Sequence, residues 1–384
     1  MAFLLLITIF KEVIAVVEKK YPRVAAQVLS WNQVDEVVTC LDSFSCIDYP
    51  NYEVILVDNG SEDNTVEAVR LKFPWVTIIE TGENLGFCKG NNIGIQYCLE
   101  KGFDYVLLLN SDIKVLPNLI SELVRVMQND PKIGIAGAKN LLLEDPAYMW
   151  GQYGEVTWGP LLVRTVGRFK PNLNLNESPK DVDWVICNAC MVSREALQKV
   201  GGFDEDFWQC NEDVDWSYRA REAGFRIVYV DTTAIHHKGS SSGDVSRIKR
   251  FNYGYFIGRN AFSFAKKHGT RLQIATLFVM VWLGIAVRIS ILLYFHLIQT
   301  AKIAIGLKKN LVAKRVFDFK AGMAGQRYFI HGVMDGLRGT QRPSEFVIRN
   351  DSNSQKTSPD NSPPRQPAYT RTGLLNRFAR WIGF

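Results

Sequence analysis

Residues 53–61, Glu53-Val-Ile-Leu-Val-Asp58-Asn-Gly-Ser61, and residues 104–112, Asp104-Tyr-Val-Leu-Leu-Leu-Asn110-Ser-Asp112, share one design: a short apolar run that ends at a carboxylate. Runs of this length without alternation read as strands buried on both faces, the pattern of a parallel sheet. Open α/β sheets bind ligands beyond the carboxyl ends of their strands, so Asp58 and Asp112 stand where a ligand would be gripped. Around these runs, strands and helices alternate. Strands are expected at Val24–Ser30, 53–57, 75–80 and 105–109, with helices over 33–45, 62–72 and 91–100 between them. Repeated βα units with short links predict a doubly wound, mostly parallel sheet. Residues 148–183, rich in Gly, Trp and Asn without a clear period, read as an irregular excursion or a small hairpin.

At 384 residues, 47% of them hydrophobic and 22% charged, the chain has the length for one large α/β core plus appendages. Its net charge of +6 is unevenly spread: from Lys302 onward 15 Lys and Arg face 5 Asp and Glu, a net +10, which leaves −4 for the rest. Because the basic portion follows a long apolar stretch, an anionic membrane surface is the expected partner and nucleic acid is not. The seven cysteines all lie in the first 210 residues at irregular spacing, as in reduced proteins without a disulfide framework. Cys187 and Cys190 read as small core residues.

The organisation expected from the sequence is an apolar extension over 1–20, an α/β domain over 21–265, a membrane-embedded or membrane-associated helical segment over 270–301, a basic juxtamembrane region over 302–343, and a largely disordered tail over 344–384. The segment 272–301 exceeds one bilayer core as a single helix and falls short of two spans. A re-entrant or in-plane helical pair would keep both basic flanks on one side and let Arg288 snorkel, and a helix pair in a soluble core is the alternative.

Several side chains carry chemistry. Asp58 suits a base N–H or a ribose hydroxyl, although Asp-Asn-Gly also favours a tight turn for local reasons. Lys89 lies in a glycine-rich stretch and offers charge for a phosphate. Asp112 is a hard oxygen ligand for Mg²⁺ or Mn²⁺, with His237 as a candidate imidazole partner. Glu212 and Asp213 open a helix expected over 212–223, where acidic residues are common in any case. The aromatic residues Phe203, Phe207 and Trp208 just upstream would raise the pKa of a neighbouring carboxylate toward that of a usable base. Asp215 and Arg219, four apart, are expected to pair.

The motifs Leu29-Ser-Trp-Asn32, Val57-Asp-Asn-Gly-Ser61, Asn84-Leu-Gly-Phe87 with Gly90-Asn-Asn92, Leu109-Asn-Ser-Asp112, Gly201-Gly-Phe-Asp-Glu205, Glu212-Asp213 and His237-Lys-Gly-Ser240 occur in that order. Together they resemble family 2 glycosyltransferases of the GT-A fold, most closely the rhamnosyltransferase-like branch, over residues 23–242. The resemblance implies an inverting, metal-assisted transfer of one sugar from a nucleotide-diphosphate donor to a lipid-linked or cell-surface glycan, at the cytoplasmic face of a membrane. It implies donor binding by Ser30, Asp58, Asn84, Lys89, Asn91 and Ser111. It further implies metal binding by Asp112 and His237, and general-base chemistry by Asp213 beside Glu212. Two positions depart from the family pattern: Asn110, where many relatives carry Asp, and Asn188, where Gly is common. A dinucleotide oxidoreductase is disfavoured, because no G-x-G-x-x-G follows the first strand. A processive polysaccharide synthase would carry Q-x-x-R-W, to which Arg377-Phe-Ala-Arg-Trp381 is only a near match. A non-catalytic sugar-binding protein is the remaining alternative.

Overall fold

The computed structural model describes residues 21–159, 162–172, 179–238, 247–304 and 312–340, with side chains for all of these except 247–252 and 299–322. The expected extension over 1–20, the tail over 344–384, and Gly239 and Ser240 of the last motif lie outside the described residues.

In chain order the elements are β1 (Val24–Ser30), α1 (Val34–Asp42), β2 (Tyr52–Asp58), α2 (Thr65–Lys72), β3 (Thr77–Glu80), α3 (Gly86–Glu100), β4 (Tyr105–Asn110), β5 (Ile113–Val115), α4 (Leu119–Asn129), β6 (Ile133–Leu142), β7 (Met149–Gly151), β8 (Gly154–Val156), β9 (Val163–Thr165), β10 (Lys180–Asp181), β11 (Ala189–Ser193), α5 (Arg194–Val200), α6 (Glu212–Glu222), β12 (Arg226–His237), α7 (Arg247–His268), α8 (Arg271–Ala304) and α9 (Val312–Arg338). The main sheet runs β3-β2-β1-β4-β11-β6-β12-β10, with β5 on β12 and β7 on β6. β1, β2, β3 and β4 are mutually parallel, and β11 is antiparallel to both β4 and β6. β12 is parallel to β6. The carboxyl ends of β1, β2, β4 and β12 and the amino end of β11 therefore share one edge. That edge collects Ser30, Asp58, Asn110, His237 and Asn188.

Apolar side chains alternate across the sheet as a strand period of two requires. Along β1, Val24, Ala26 and Val28 pack against α1, α2 and α4, while Ala25 faces the opposite layer with α3, α5, α6 and the C-terminal helices. Two boundaries moved for local reasons. α3 starts at Gly86 rather than near 91, because Asn84 and Asn59 side chains accept from the Gly86 and Leu85 N–H groups that a first turn leaves unpaired. α2 starts at Thr65 because Asp63 takes the Thr65 N–H in a capping turn. Residues 148–183 form β7, the β8-β9 hairpin and β10, so the hairpin reading holds.

The expected helical pair over 270–301 is instead one unbroken helix, α8, of 34 residues, about 51 Å long at 1.5 Å per residue. No proline interrupts it, and Leu277, Val281 and Ile285, each four residues apart, are buried in the same core as Phe262 of α7 and Phe329 and Val333 of α9. The core is thus continuous across the boundary expected at 265–270. The opposite face of α8 exposes Leu272, Val279, Leu283, Tyr294 and Leu297. Residues Arg271–Ile298 are long and apolar enough to cross a membrane, with a mean hydropathy of 2.2.

Candidate active site

At the end of β2, Asp58 is buried and its two oxygens do different things. Oδ2 accepts from the Ser61 N–H at 3.0 Å, which is the turn role that Asp-Asn-Gly invites. Oδ1 is buried and has no protein partner, and neither has the Ser30 hydroxyl, whose residue lies directly beside Asp58 in the β1-β2 register. Buried oxygens left without partners are costly, and a ligand's N–H or O–H removes that cost. Turn and grip are therefore compatible in one carboxylate.

Other residues of the expected donor set divide. Asn84 is exposed, but its side-chain oxygen is held by Asn59 Nδ2 at 3.2 Å and the Gly86 N–H at 2.9 Å, so it shapes the loop. Asn91 is turned inward: Oδ1 accepts from Gln27 Nε2 at 3.0 Å and Nδ2 donates to the Phe87 carbonyl at 3.0 Å, tying α3 to β1. The structure does not bring it to the cleft. Lys89 is exposed on the first turn of α3. Ser111 is buried and donates to Gln33 Oε1 at 2.6 Å, which fastens the turn after β4 to the start of α1.

Asp112 sits between β4 and β5, and the antiparallel pairing of β5 with the end of β12 sets Ile113 opposite His237. His237 Nε2 lies 3.5 Å from Asp112 Oδ1, the imidazole is nearly enclosed, and its ring packs on Trp150 at 5.0 Å between centroids. Burial lowers the His237 pKa, and the Asp112 charge offsets this only in part, so the ring is held in the neutral form that a metal requires. Among the described residues no third His, Cys, Asp or Glu completes a protein-only metal cage. A carboxylate and a neutral imidazole fit Mg²⁺ or Mn²⁺ when substrate phosphate oxygens and water supply the remaining ligands.

The two departures from the family pattern meet here. Asn110 Nδ2 donates to Asn188 Oδ1 at 2.9 Å, and the Asn110 N–H donates to the Asn188 carbonyl at 3.2 Å. Next to Asn188, the Cys187 backbone N–H is among the groups that lower the Asp213 pKa. Burial pushes the Asp213 pKa up to about 7, against the lowering effect of the Val214 N–H, which Oδ1 accepts at 2.9 Å. Glu212 is also raised, by burial first and the Asp213 charge second, and its Oε2 has no partner. Cys88 and Cys210 belong to the same low-dielectric pocket, and burial raises both thiols. Cys187 and Cys190 are buried free thiols, 2.6 Å apart.

Asp215 behaves in the opposite way. Burial would raise it, yet hydrogen bonds and charge from His268, Arg219 and Lys267 outweigh that and hold it at about 2. Arg219 Nε, Lys267 Nζ and His268 Nε2 all lie 2.7–2.8 Å from its oxygens. The expected Asp215–Arg219 pair is thus part of a larger anchor joining α6 to the end of α7. Two contributors are not marked by the sequence motifs: Gln33, which holds Ser111, and Trp150, which packs on His237; Asn260 of α7, which contacts the carbonyls of Phe207, Gln209 and Cys210, is a third. Trp150 lay within the Trp-rich stretch already singled out, whereas Asn260 sits in a helix with nothing local to mark it.

Comparisons with known proteins bear on the family and the fold. The model of glycosyl transferase family 2 matches residues 28–201. The N-acetylglucosaminyl-diphospho-decaprenol L-rhamnosyltransferase of Mycobacterium tuberculosis is 32% identical over 213 residues, covering 50% of this chain and 68% of that protein. The dTDP-rhamnosyl transferase RfbF of Shigella flexneri is 25% identical over 236 residues, covering 59% and 74%. Among solved structures, the mannosyltransferase PcManGT of Pyrobaculum calidifontis, in complex with GDP-Man and Mn²⁺, superposes with a TM-score of 0.50 at 17% identity, covering 83% of this chain and 88% of that one. That last likeness concerns fold, which is of the GT-A type. By fold and sequence together, the chain belongs to glycosyl transferase family 2.

Proposed function

We propose that the protein is an inverting, metal-assisted transferase that moves a single sugar, rhamnose by its relatives, from a nucleotide-diphosphate donor to a lipid-linked or cell-surface glycan. The observation that carries this reading is the Asp213 carboxyl in the first turn of α6, which burial pushes up to about 7, into the range of a usable general base. Asp58 Oδ1 and the Ser30 hydroxyl hold the nucleoside through their unpartnered oxygens. Asp112 and His237 would hold Mg²⁺ or Mn²⁺ against the diphosphate. A metal bound there supplies positive charge that stabilises the departing nucleoside diphosphate. Asp213 takes the proton from the acceptor hydroxyl, whose oxygen attacks the anomeric carbon on the face opposite the diphosphate, inverting the centre. Glu212 beside it is also raised, by burial first and the Asp213 charge second, so the two carboxyls disfavour ionising together.

The exposed apolar face of α8 gives the localisation its physical basis. One stripe of the helix is fixed to the catalytic body and the other has no protein cover among the described residues, an arrangement suited to lying against a bilayer with the cleft at the cytoplasmic surface. An acceptor anchored in lipid then reaches the cleft from the same side. Incubating the full chain with Mn²⁺, a polyprenyl-diphosphate N-acetylglucosamine acceptor and each of dTDP-rhamnose, UDP-glucose, UDP-N-acetylglucosamine and GDP-mannose tests the reading. Transfer of one sugar with inversion, abolished by EDTA, is expected. Multiple additions would establish a processive synthase, and binding without transfer or hydrolysis of any donor would establish a non-catalytic protein.

A further inference from the structure

Immediately before the proposed base, three residues out of four have positive φ: Trp208 at 60°, Cys210 at 68° and Asn211 at 63°. None is glycine, and such a backbone persists only where its surroundings hold it. The holding group is Asn260 on α7. Its side chain is fully buried, and the two Nδ2 hydrogens are shared among the carbonyl oxygens of Phe207 at 2.9 Å, Gln209 at 2.7 Å and Cys210 at 2.7 Å. The direction of this amide is fixed chemically. Oδ1 accepts from Arg259 Nη1 at 2.7 Å, and since a guanidinium can only donate, the NH₂ group must face the carbonyls.

Asn260 is itself held in register. Arg259 donates to the Asp206 carbonyl at 2.6 Å and, through Nε and Nη2, to the Thr340 carbonyl at 3.0 and 2.9 Å. α9 lies backbone to backbone on α7: a Cβ added at Gly332 would stand 2.0 Å from the Tyr255 carbonyl oxygen, and one at Gly336 would stand 2.4 Å from that of Arg259. From the other side, the Cys88 N–H at the start of α3 donates to the Trp208 carbonyl at 3.1 Å, and the Trp208 indole covers Gly86, leaving no room for a Cβ. The segment 207–211 is thus pinned between the donor-side helix and α7, and it ends where the first turn of α6 presents Glu212 and Asp213.

We propose that Asn260 is a positioning residue for sugar transfer: by fixing the carbonyls of Phe207, Gln209 and Cys210 in the strained segment 207–211, it sets where Asp213 stands, and it makes that position depend on the docking of α9 onto α7. The inference rests on the reading of Asp213 as the base. Asn260 touches neither donor nor acceptor and acts only through the segment it holds.

The test uses the full chain with Asn260→Asp and Asn260→Ala. Asn260→Asp keeps size and the Arg259 contact but turns two donors into acceptors facing carbonyl oxygens. The donor is whichever of dTDP-rhamnose, UDP-glucose, UDP-N-acetylglucosamine and GDP-mannose the wild type hydrolyses fastest. Expected are a fall in kcat of about tenfold or more with donor Kd changed less than about threefold, and faster amide exchange at Cys88 and over 211–215. On an Asp213→Asn background, adding Asn260→Ala should cost little more, since the misplaced group is already disabled. An unchanged kcat, an equal loss of donor affinity, or unchanged exchange would overturn the inference. Should Asn260→Ala fail to fold, Asn260→Asp alone decides by the same criteria. An active Asp213→Asn variant would instead sink the base assignment, and exchange at 211–215 would still report whether Asn260 holds the segment.

Discussion

The two halves of the cleft are held in place by different physics. On the donor side, Ser30, Asp58 and Asn110 end three adjacent parallel strands, and the ladder of β1, β2 and β4 sets their spacing. On the proposed base side, Glu212 and Asp213 follow a segment of unfavourable φ that is fastened by a backbone N–H of α3 and the Asn260 side chain of α7. Regular hydrogen bonding makes the first half self-sufficient. The second is borrowed from distant parts of the chain, and it is the half where the strongest pKa displacement toward neutrality falls.

The sharpest way to break this contrast is to remove the C-terminal helices. Deleting residues 272–384 strips Leu277, Val281, Ile285, Phe329 and Val333 from the core and leaves the rest of it uncovered. Truncating one buried large aliphatic side chain costs about 2–5 kcal/mol, so losing several together exceeds the whole stability of an ordinary domain. The expected result is complete loss of soluble, folded protein, read by size-exclusion chromatography and circular dichroism. A monomeric, folded product that binds donor would show that the boundary at 265–270 is a true domain boundary.

Asp213→Asn comes next. Transfer should fall by about 10²- to 10⁴-fold with donor affinity kept, since the amide has the size but not the basicity. In the wild type, the rate should decline about tenfold per unit as pH drops below about 7, the point at which Asp213 takes up its proton. Stability runs the other way. A carboxyl whose folded pKa is raised binds its proton more tightly in the folded state, so its contribution is full below about 4 and is lost as pH rises through about 7. The lowered pKa values of His236 and His237 act with the opposite sign at the acid end of this window. Comparing Tm at pH 5.5 and pH 8 in wild type and Asp213→Asn isolates the carboxyl, and the variant should gain several degrees at pH 8 relative to wild type. No gain would mean that Asp213 is better solvated than its pocket implies.

On the donor side, Asp112→Ala should weaken Mn²⁺-dependent binding of the intact nucleotide sugar by about a hundredfold while sparing the free nucleoside, with His237→Ala following more mildly. Isothermal titration with and without Mn²⁺ separates the two, and equal losses for nucleoside and nucleotide sugar would contradict the assignment. Ser30→Ala is the smallest. Removing one buried hydroxyl that meets its partner only in the complex should cost about 0.5–1.5 kcal/mol, or roughly three- to tenfold in donor affinity, with Tm nearly unchanged.

The same division governs what the amino-acid sequence discloses. β1 is found where its apolar run places it, and Asp58 and Asp112 follow because a strand's end is written in its own residues. The Asp215–Arg219 pair is legible from i,i+4 spacing, although Lys267 and His268, which complete the anchor, lie some fifty residues away. Asn91 misleads for a related reason: its motif is local, but the direction of its side chain is decided by Gln27 across the sheet. The Asn110–Asn188 contact joins two separate departures that carry no hint of each other until β11 is laid antiparallel on β4. Asn260 is the extreme case. A lone asparagine in a long helix has no periodic signal, and its importance exists only through three carbonyls some fifty residues earlier.

The docking of Gly332 and Gly336 against α7 also imposes an order in time. A ribosome delivers the strands that carry Ser30, Asp58 and Asn110 first, and they can pair as soon as β4 emerges. Arg259 cannot meet the Thr340 carbonyl until more than a hundred further residues beyond Asp213 have been made, roughly 6–25 s later at ordinary elongation rates. During that interval a nascent chain holds a donor cleft whose other wall is unfinished. The wall that carries Asp213 is therefore completed only by residues made long after it, those just past the end of the last described helix.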